Sequence, residues 1–250
     1  MAQFDRQENV GGPFPATRYS AILALSSSDA SERNRALDLL VRAYWSPLYK
    51  YARLSWRMTP DDASDLVQGF FALALEREFL QSYDQQKAKF RTFLRLCLDR
   101  HAANEHRSRG TQKRGGAAEF ISIEQSSAES ELQSIGLSVP PDIDSWFERE
   151  WARQVFSVAI ERLEKSCDTE SKQLHFLLFQ QYDLTDRDES NKMTYDMLAA
   201  AHSIPVTDVT NHLALVRRKF RSILLEVIRE LTGSDEEYRA EVRALLGLKI

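Results

Sequence analysis

Apolar residues recur at three- and four-residue steps along most of this chain, a period that predicts helices rather than strands. Behind Thr59, the positions Ala63, Leu66, Val67, Phe70, Phe71, Ala74 and Leu75 lay one wide apolar stripe along a helix. Thr59 caps its start, Pro60 suits the first helical position, and Asp61 and Asp62 favour the positive end of the helix dipole. Upstream, Leu37, Leu40, Val41, Tyr44, Leu48 and Tyr51 predict one or two helices, with Pro47 marking a break or a fresh start. Downstream, Phe90, Phe93, Leu94, Cys97 and Leu98 stripe a third long helix that fades by Arg109 and Gly110. These helices predict one small domain over 29–116, behind an N-terminal extension at 1–28.

Between 117 and 145 the pattern lapses. Glycines, serines, acids and Pro140-Pro141 outnumber periodic apolar residues, which is the composition of an extended linker. Periodicity resumes with Trp146, Phe147, Trp151, Val155, Ala159 and Leu163, then Leu174, Leu177, Leu178 and Tyr182, followed by a polar loop over 185–191. The fold expected is therefore all-α, with two small helical domains joined by an acidic linker, the second spanning 146–233. A capping Ser234, three acids behind it and Gly247 beyond its end predict a short terminal helix in a tail at 234–250.

The second block holds a helix-turn-helix pattern. Thr194 caps a short helix over 195–202, Ser203-Ile204-Pro205 makes a turn, and a second helix runs from Val206 past Arg221 with Val209, Leu213, Val216 and Phe220 inward. That helix presents Thr207, Thr210, Asn211 and His212 near its start, polar groups of a size to reach base edges. Arg217, Arg218 and Arg221 lie further along, where phosphates would be met. Ser203 stands where a turn glycine would be easiest, so a strained positive φ or a different turn is expected there.

Charge sharpens this picture. The formal net charge of −4 hides segregation: 87–114 holds nine Lys or Arg against two acids, whereas 119–150 holds eight acids and one Arg. A basic helix with interleaved aromatics is suited to a nucleic-acid strand. Cys97 and Cys167 fall in apolar helical stretches and predict reduced core thiols rather than a disulfide framework or a zinc site. His101-Ala102-Ala103-Asn104-Glu105-His106 has the wrong spacing for either zinc-protease motif, so no metal or other cofactor is expected. No glycine-rich phosphate loop and no nucleophile elbow appear, and the chain is not expected to be an enzyme. With no apolar run near the roughly 18 residues of a membrane span and no signal pattern, a cytoplasmic location without a membrane partner is expected.

Two segments carry a resemblance. Asp65-Leu66-Val67-Gln68-Gly69-Phe70-Phe71 and Lys89-Phe90-Arg91-Thr92-Phe93-Leu94 resemble the core-polymerase-binding and promoter-melting helices of bacterial RNA polymerase sigma factors of the extracytoplasmic-function type. Phe14-Pro15-Ala16-Thr17-Arg18-Tyr19-Ser20, Ala43-Tyr44-Trp45 and Gln112-Lys113-Arg114-Gly115-Gly116 are similar to a divergent branch of that family with a short N-terminal extension and a C-terminal tail. The resemblance implies a sigma region 2-like domain, a linker lying in the polymerase's RNA channel and a region 4-like domain. It implies core RNA polymerase and promoter DNA as partners, and leaves room for an anti-sigma or other regulatory protein. Asp65, Gln68 and Phe71 would meet the polymerase. Phe90, Arg91, Phe93, Arg95, Arg100 and Asn104 would hold the melted strand, by stacking and by phosphate neutralisation.

Departures from the family pattern keep other readings open. Ser203, Asp208 and His212 in the helix-turn-helix, and Arg100 and Asn104 in the melting helix, differ from the residues usual there. The alternatives are a stand-alone helix-turn-helix regulator and a sigma-like interaction adaptor that has lost promoter reading.

Overall fold

The computed structural model describes residues 20–25, 27–76, 79–108, 119–136, 138–185 and 193–248. Residues 186–191 of the predicted loop, the motif at 112–116 and residues 1–19 and 26 of the N-terminal extension lie outside them. Among the described residues every regular element is helical: α1 (Ala21–Ala24), α2 (Ala30–Ser55), α3 (Pro60–Glu76), α4 (Phe90–Ser108), α5 (Glu119–Ile135), α6 (Ile143–Thr169), α7 (Gln173–Phe179), α8 (Tyr195–His202), α9 (Val206–Glu230) and α10 (Asp235–Leu246). A 3-10 turn at Phe79–Ser82 and a π-helical turn at Gln180–Leu184 complete the set. No helix among them is long and apolar enough to cross a membrane.

Local chemistry sets the helix ends. The Thr59 hydroxyl accepts from the Asp62 amide at 3.2 Å, and Pro60 opens α3 as expected. Thr194 and Ser234 cap α8 and α10 by the same device, and Gly247 closes α10 in a left-handed conformation.

Pro47 does not break its helix. It lies inside the 26-residue α2, where every residue from Ala43 to Ala52 is buried. An interior proline costs about 3 kcal/mol, but Tyr44, Trp45, Leu48, Tyr49 and Tyr51 are all buried along this stretch and would lose that burial if the helix stopped. Burial of even two such side chains offsets that cost, at about 1.5–3 kcal/mol each. A stretch buried on every side, with Ser46 and Lys50 among its buried residues, belongs to a central helix, and α2 packs against α3, α4, α5 and α6.

The expected extended linker is, over most of its length, helix α5. Gly115, Gly116, Gly136 and the two prolines that suggested a linker flank this segment, and none interrupts 119–135. Ala128 and Leu132, one turn apart, are buried against α2. Two of its acids meet cations of α2. Glu129 binds Arg53 through both oxygens at 2.6 and 2.9 Å and accepts from the Tyr49 hydroxyl at 2.8 Å, while Glu131 pairs with Lys50.

The two expected blocks share a core. Trp151 stacks on Tyr44 with centroids 6.2 Å apart, Phe147 meets Tyr51 edge-on at 5.7 Å, and the first half of α6 thereby joins the core of the first block. Leu163 and Cys167, further along α6, enter a smaller cluster with Leu178, Phe179, Leu198, Val209, Leu213 and Val216. Helix α9 runs through both clusters in the same way, with Leu224, Val227 and Ile228 in the larger one. Phe147 and Trp151 are bulky side chains whose partners Tyr51, Tyr44 and Arg91 lie on α2 and α4. Cys167 is buried as expected, and Cys97 is half-buried.

Candidate nucleic-acid interface

Two surfaces were expected to touch nucleic acid, and they fare differently. Helices α8 and α9 begin and end where the sequence places them, on either side of Ser203-Ile204-Pro205. Ser203 adopts φ 53° and ψ 43°, the strained left-handed conformation that its missing glycine left open, at a cost of roughly 1–2 kcal/mol. The Ile204 amide reaches back to the Ala199 carbonyl at 3.0 Å and ends α8, and Pro205 lets α9 begin at Val206.

Along α9 the residues Val209, Leu213 and Val216 are fully buried, which turns the opposite face outward. Thr207, Asn211, Ala214, Arg218 and Arg221 follow one another at steps of four, three, four and three, so they form one exposed stripe with Thr210 at its edge. No acid falls on it. Asp208 is half-buried on the flank, and the Thr210 hydroxyl bonds the Val206 carbonyl at 3.0 Å.

Two predicted members are committed elsewhere. Arg217 forks onto Asp183 with two bonds of 2.9 Å, donates to the Tyr195 hydroxyl at 3.2 Å and lies over the Tyr182 ring; those hydrogen bonds hold its pKa above the usual value. The His212 ring lies against that of His175 of α7, tilted by 41° with centroids 4.0 Å apart. Lys219, behind the face, bonds Glu170, and hydrogen bonds from Lys172 and Lys219 draw that carboxyl down to about 2.

Burial pushes the His175 imidazole below its ordinary value, with His212 and Lys172 adding repulsion, and burial does the same to His101, partly offset by Glu105. Both stay neutral in the fold where the unfolded chain already takes up protons. Stability present in full above about pH 6.5 is therefore lost as pH falls through and below that value. Thermal melts from about pH 7.5 to pH 5.5 should show a falling Tm, and His175→Asn should reduce the slope. A variant slope equal to that of the parent would locate the effect elsewhere.

The second surface, at the start of α4, is largely covered. Phe90 is 0% exposed, with its ring 5.0 Å from Tyr83 and 5.9 Å from Tyr44. Arg91, expected to hold a strand, is 5% exposed; it lies over the Trp151 ring at 4.5 Å and is ion-paired to Glu241 and to Glu148 at 3.2 Å. Arg95 donates to the Tyr51 hydroxyl at 3.0 Å and faces Asp144 at 3.1 Å. Phe93 is half-buried against Tyr83 and Phe90. Only Arg100 and Asn104 of this predicted set are exposed. The aromatics lie on the stripe that faces the core, and the arginines meet acids from α6 and α10, so packing claims both.

On α3, Asp65 is exposed and Gln68 is half-buried, donating to the Ser64 hydroxyl at 3.0 Å. Phe71 is buried beside Phe70, centroids 5.5 Å apart, and supports the core instead of the surface.

Sequence reasoning missed Tyr83, Glu237 and Glu241, which meet at the first turn of α4. Glu237 was counted only as an acid favouring the start of its own helix; its spacing of four from Glu241 was the available sign that both share a face. No protein-family model matches the chain, and comparison with curated proteins and with solved structures returns no similar protein.

Proposed function

We propose that this chain is a promoter-specificity subunit of the sigma type, which binds core RNA polymerase, directs it to a subset of promoters and assists duplex opening. The observation that carries the reading is the acid-free stripe Thr207, Asn211, Arg218 and Arg221 on α9, short polar groups first and arginines after. α8, the Ser203 turn and α9 form the helix-turn-helix in this reading. The first turns of α9 enter the major groove, where Asn can bond adenine in two places. Asp65 and Gln68, on the outward side of α3, serve the polymerase contact implied by the resemblance of 65–71 to the family helix. The location is the cytoplasm, and no catalytic step is assigned to any residue.

The test begins with polymerase. Purified chain should bind core RNA polymerase from its own host, and the reconstituted enzyme should start transcription at discrete sites on genomic DNA. Asp65→Ala with Gln68→Ala should weaken that binding roughly tenfold, the size of about 1.4 kcal/mol, without moving the thermal melt. Retained binding by this variant would remove α3 from the interface.

A second reading has one observation in its favour. Because Phe90 and Arg91 are packed away, a protein using only the α9 stripe on duplex DNA would be a stand-alone transcriptional regulator. Failure to bind core polymerase, with duplex binding intact, would select it.

A further inference from the structure

Acids match the first turn of α4, but they do not match its outer side from Phe93 onward. Phe93, Leu96, Arg100, Ala103 and Arg107 follow one another at steps of three, four, three and four, so they share one face of the helix. Arg100 and Arg107 are exposed, and neither is ion-paired among the described residues. Leu96, between Phe93 and Arg100, is 43% exposed. An apolar side chain held outward beside cations, on a face without an acid, fits a polyanion that also carries flat apolar surfaces.

A second element reaches this face. The Trp56 indole N–H donates to one oxygen of Asp99 at 2.9 Å, and the Tyr51 hydroxyl donates to the other at 3.1 Å. Asp99 is neighbour on α4 to Leu96, three residues before it, and to Ala103, four after. The turn between α2 and α3 therefore lies along the edge of the face, and its bonds occupy the carboxylate there. The next residue of that turn is Arg57, which is exposed and has φ 51°. It follows the C-cap residue Trp56, a place where glycine usually supplies left-handed backbone and any other side chain is strained. Among the described residues no carbonyl or carboxylate holds its guanidinium. Strain kept for an exposed, unpaired cation points to a use outside the fold.

We propose that Arg57 and Leu96 are further strand-contacting residues: Arg57 meets a phosphate of a single DNA strand laid along Arg100 and Arg107, and Leu96 lies against a base. The proposal rests on the reading of α4 as a strand-binding helix, and places the contact beyond the covered first turn. The strand passes over the middle and end of α4, with the α2–α3 turn as its second wall. Leu96 offers no hydrogen bond, so its contact holds the strand without reading its sequence.

The test uses the full-length chain and a fluorescent single-stranded oligonucleotide of mixed sequence, read by anisotropy across a salt series. Arg57→Gly relieves the left-handed strain while removing the cation, so the melting temperature should hold or rise as binding weakens. The slope of log affinity against log salt should become shallower by about 0.7, the effect of one contact on a single strand. Leu96→Ala should weaken binding roughly fivefold, the low end for a stacked base, with the slope kept, and Leu96→Trp should restore it. Arg100→Ala with Arg107→Ala reports on α4 itself and should flatten the slope by about 1.4. If that double variant binds more weakly while Arg57→Gly or Leu96→Ala matches the parent, the inference is overturned and the α4 reading stands. If the parent fails to bind, or the double variant binds as the parent does, both fall. A Leu96→Ala chain that loses affinity for core polymerase but not for the oligonucleotide would give this face to a protein and overturn the inference as well.

Discussion

Lys50→Met is expected to lower folding stability by about 3 kcal/mol. Lys50 is buried in the middle of α2, and its ammonium lies between Glu150 of α6, at 2.9 Å, and Glu131 of α5. The Glu150 side chain is 2% exposed. Removing the lysine leaves that carboxylate in the core with Arg153, whose side chain is 68% exposed and shares its charge with solvent. Stranding one member of a buried pair costs about 3–5 kcal/mol, and the remaining arginine places this case at the lower end. For a chain of this size the melting temperature should drop by roughly 6–12 °C. The double variant Lys50→Met, Glu150→Met should recover most of the loss, because two well-packed apolar side chains replace a desolvated pair. A single variant within about 1 kcal/mol of the parent would mean that solvent reaches this pair. The site matters to the architecture because it is where α2, α5 and α6 meet, so its loss should also loosen the exchange protection of α5.

How much of this was legible in the chain depended on the reach of the interaction. Helix starts at Thr59, Thr194 and Ser234 were readable because a cap and its amide lie three residues apart. The inward stripe Val209, Leu213, Val216 was readable for the same reason, since a 3.6-residue period needs no partner to be seen, and the outward stripe followed from it. At Ser203 the missing glycine left a strained positive φ or a different turn open, and the left-handed backbone is the one found. What failed was whatever a distant partner decides. Pro47 marks a break by local rules, and only burial around α2 overrides them. Glu129 and Glu131 look like solvating linker charges until Arg53 and Lys50 are placed opposite. Arg91 looks like a phosphate ligand until Glu148 and Glu241 reach it. The polar surface on α4 was therefore misjudged where its charges are internally matched, whereas on α9 Thr207, Asn211, Arg218 and Arg221 are exposed as their period predicts and Arg217 is taken by Asp183.

Arg218→Ala with Arg221→Ala is expected to weaken duplex DNA binding roughly 10- to 100-fold at low salt, across sequences alike, because phosphate contacts carry no base information. The slope of log affinity against log salt should become shallower by about 1.8, the counterion release of two phosphate contacts. Asn211→Ala should behave differently, lowering discrimination between sites by about 1–3 kcal/mol while keeping the salt slope. Arg217→Ala separates this account from a general effect of basic charge. Its guanidinium is held by Asp183 through two 2.9 Å bonds and by the Tyr195 hydroxyl, so its loss should appear in the thermal melt and leave the salt slope unchanged. Neighbouring arginines on one helix would then divide their work by orientation, one holding α9 to the turn after α7 and the others reaching outward. Should Arg217→Ala also flatten the slope by about 0.9, as one phosphate contact would, Asp183 must release Arg217 on DNA, and the ion pair would be a contact that duplex binding breaks.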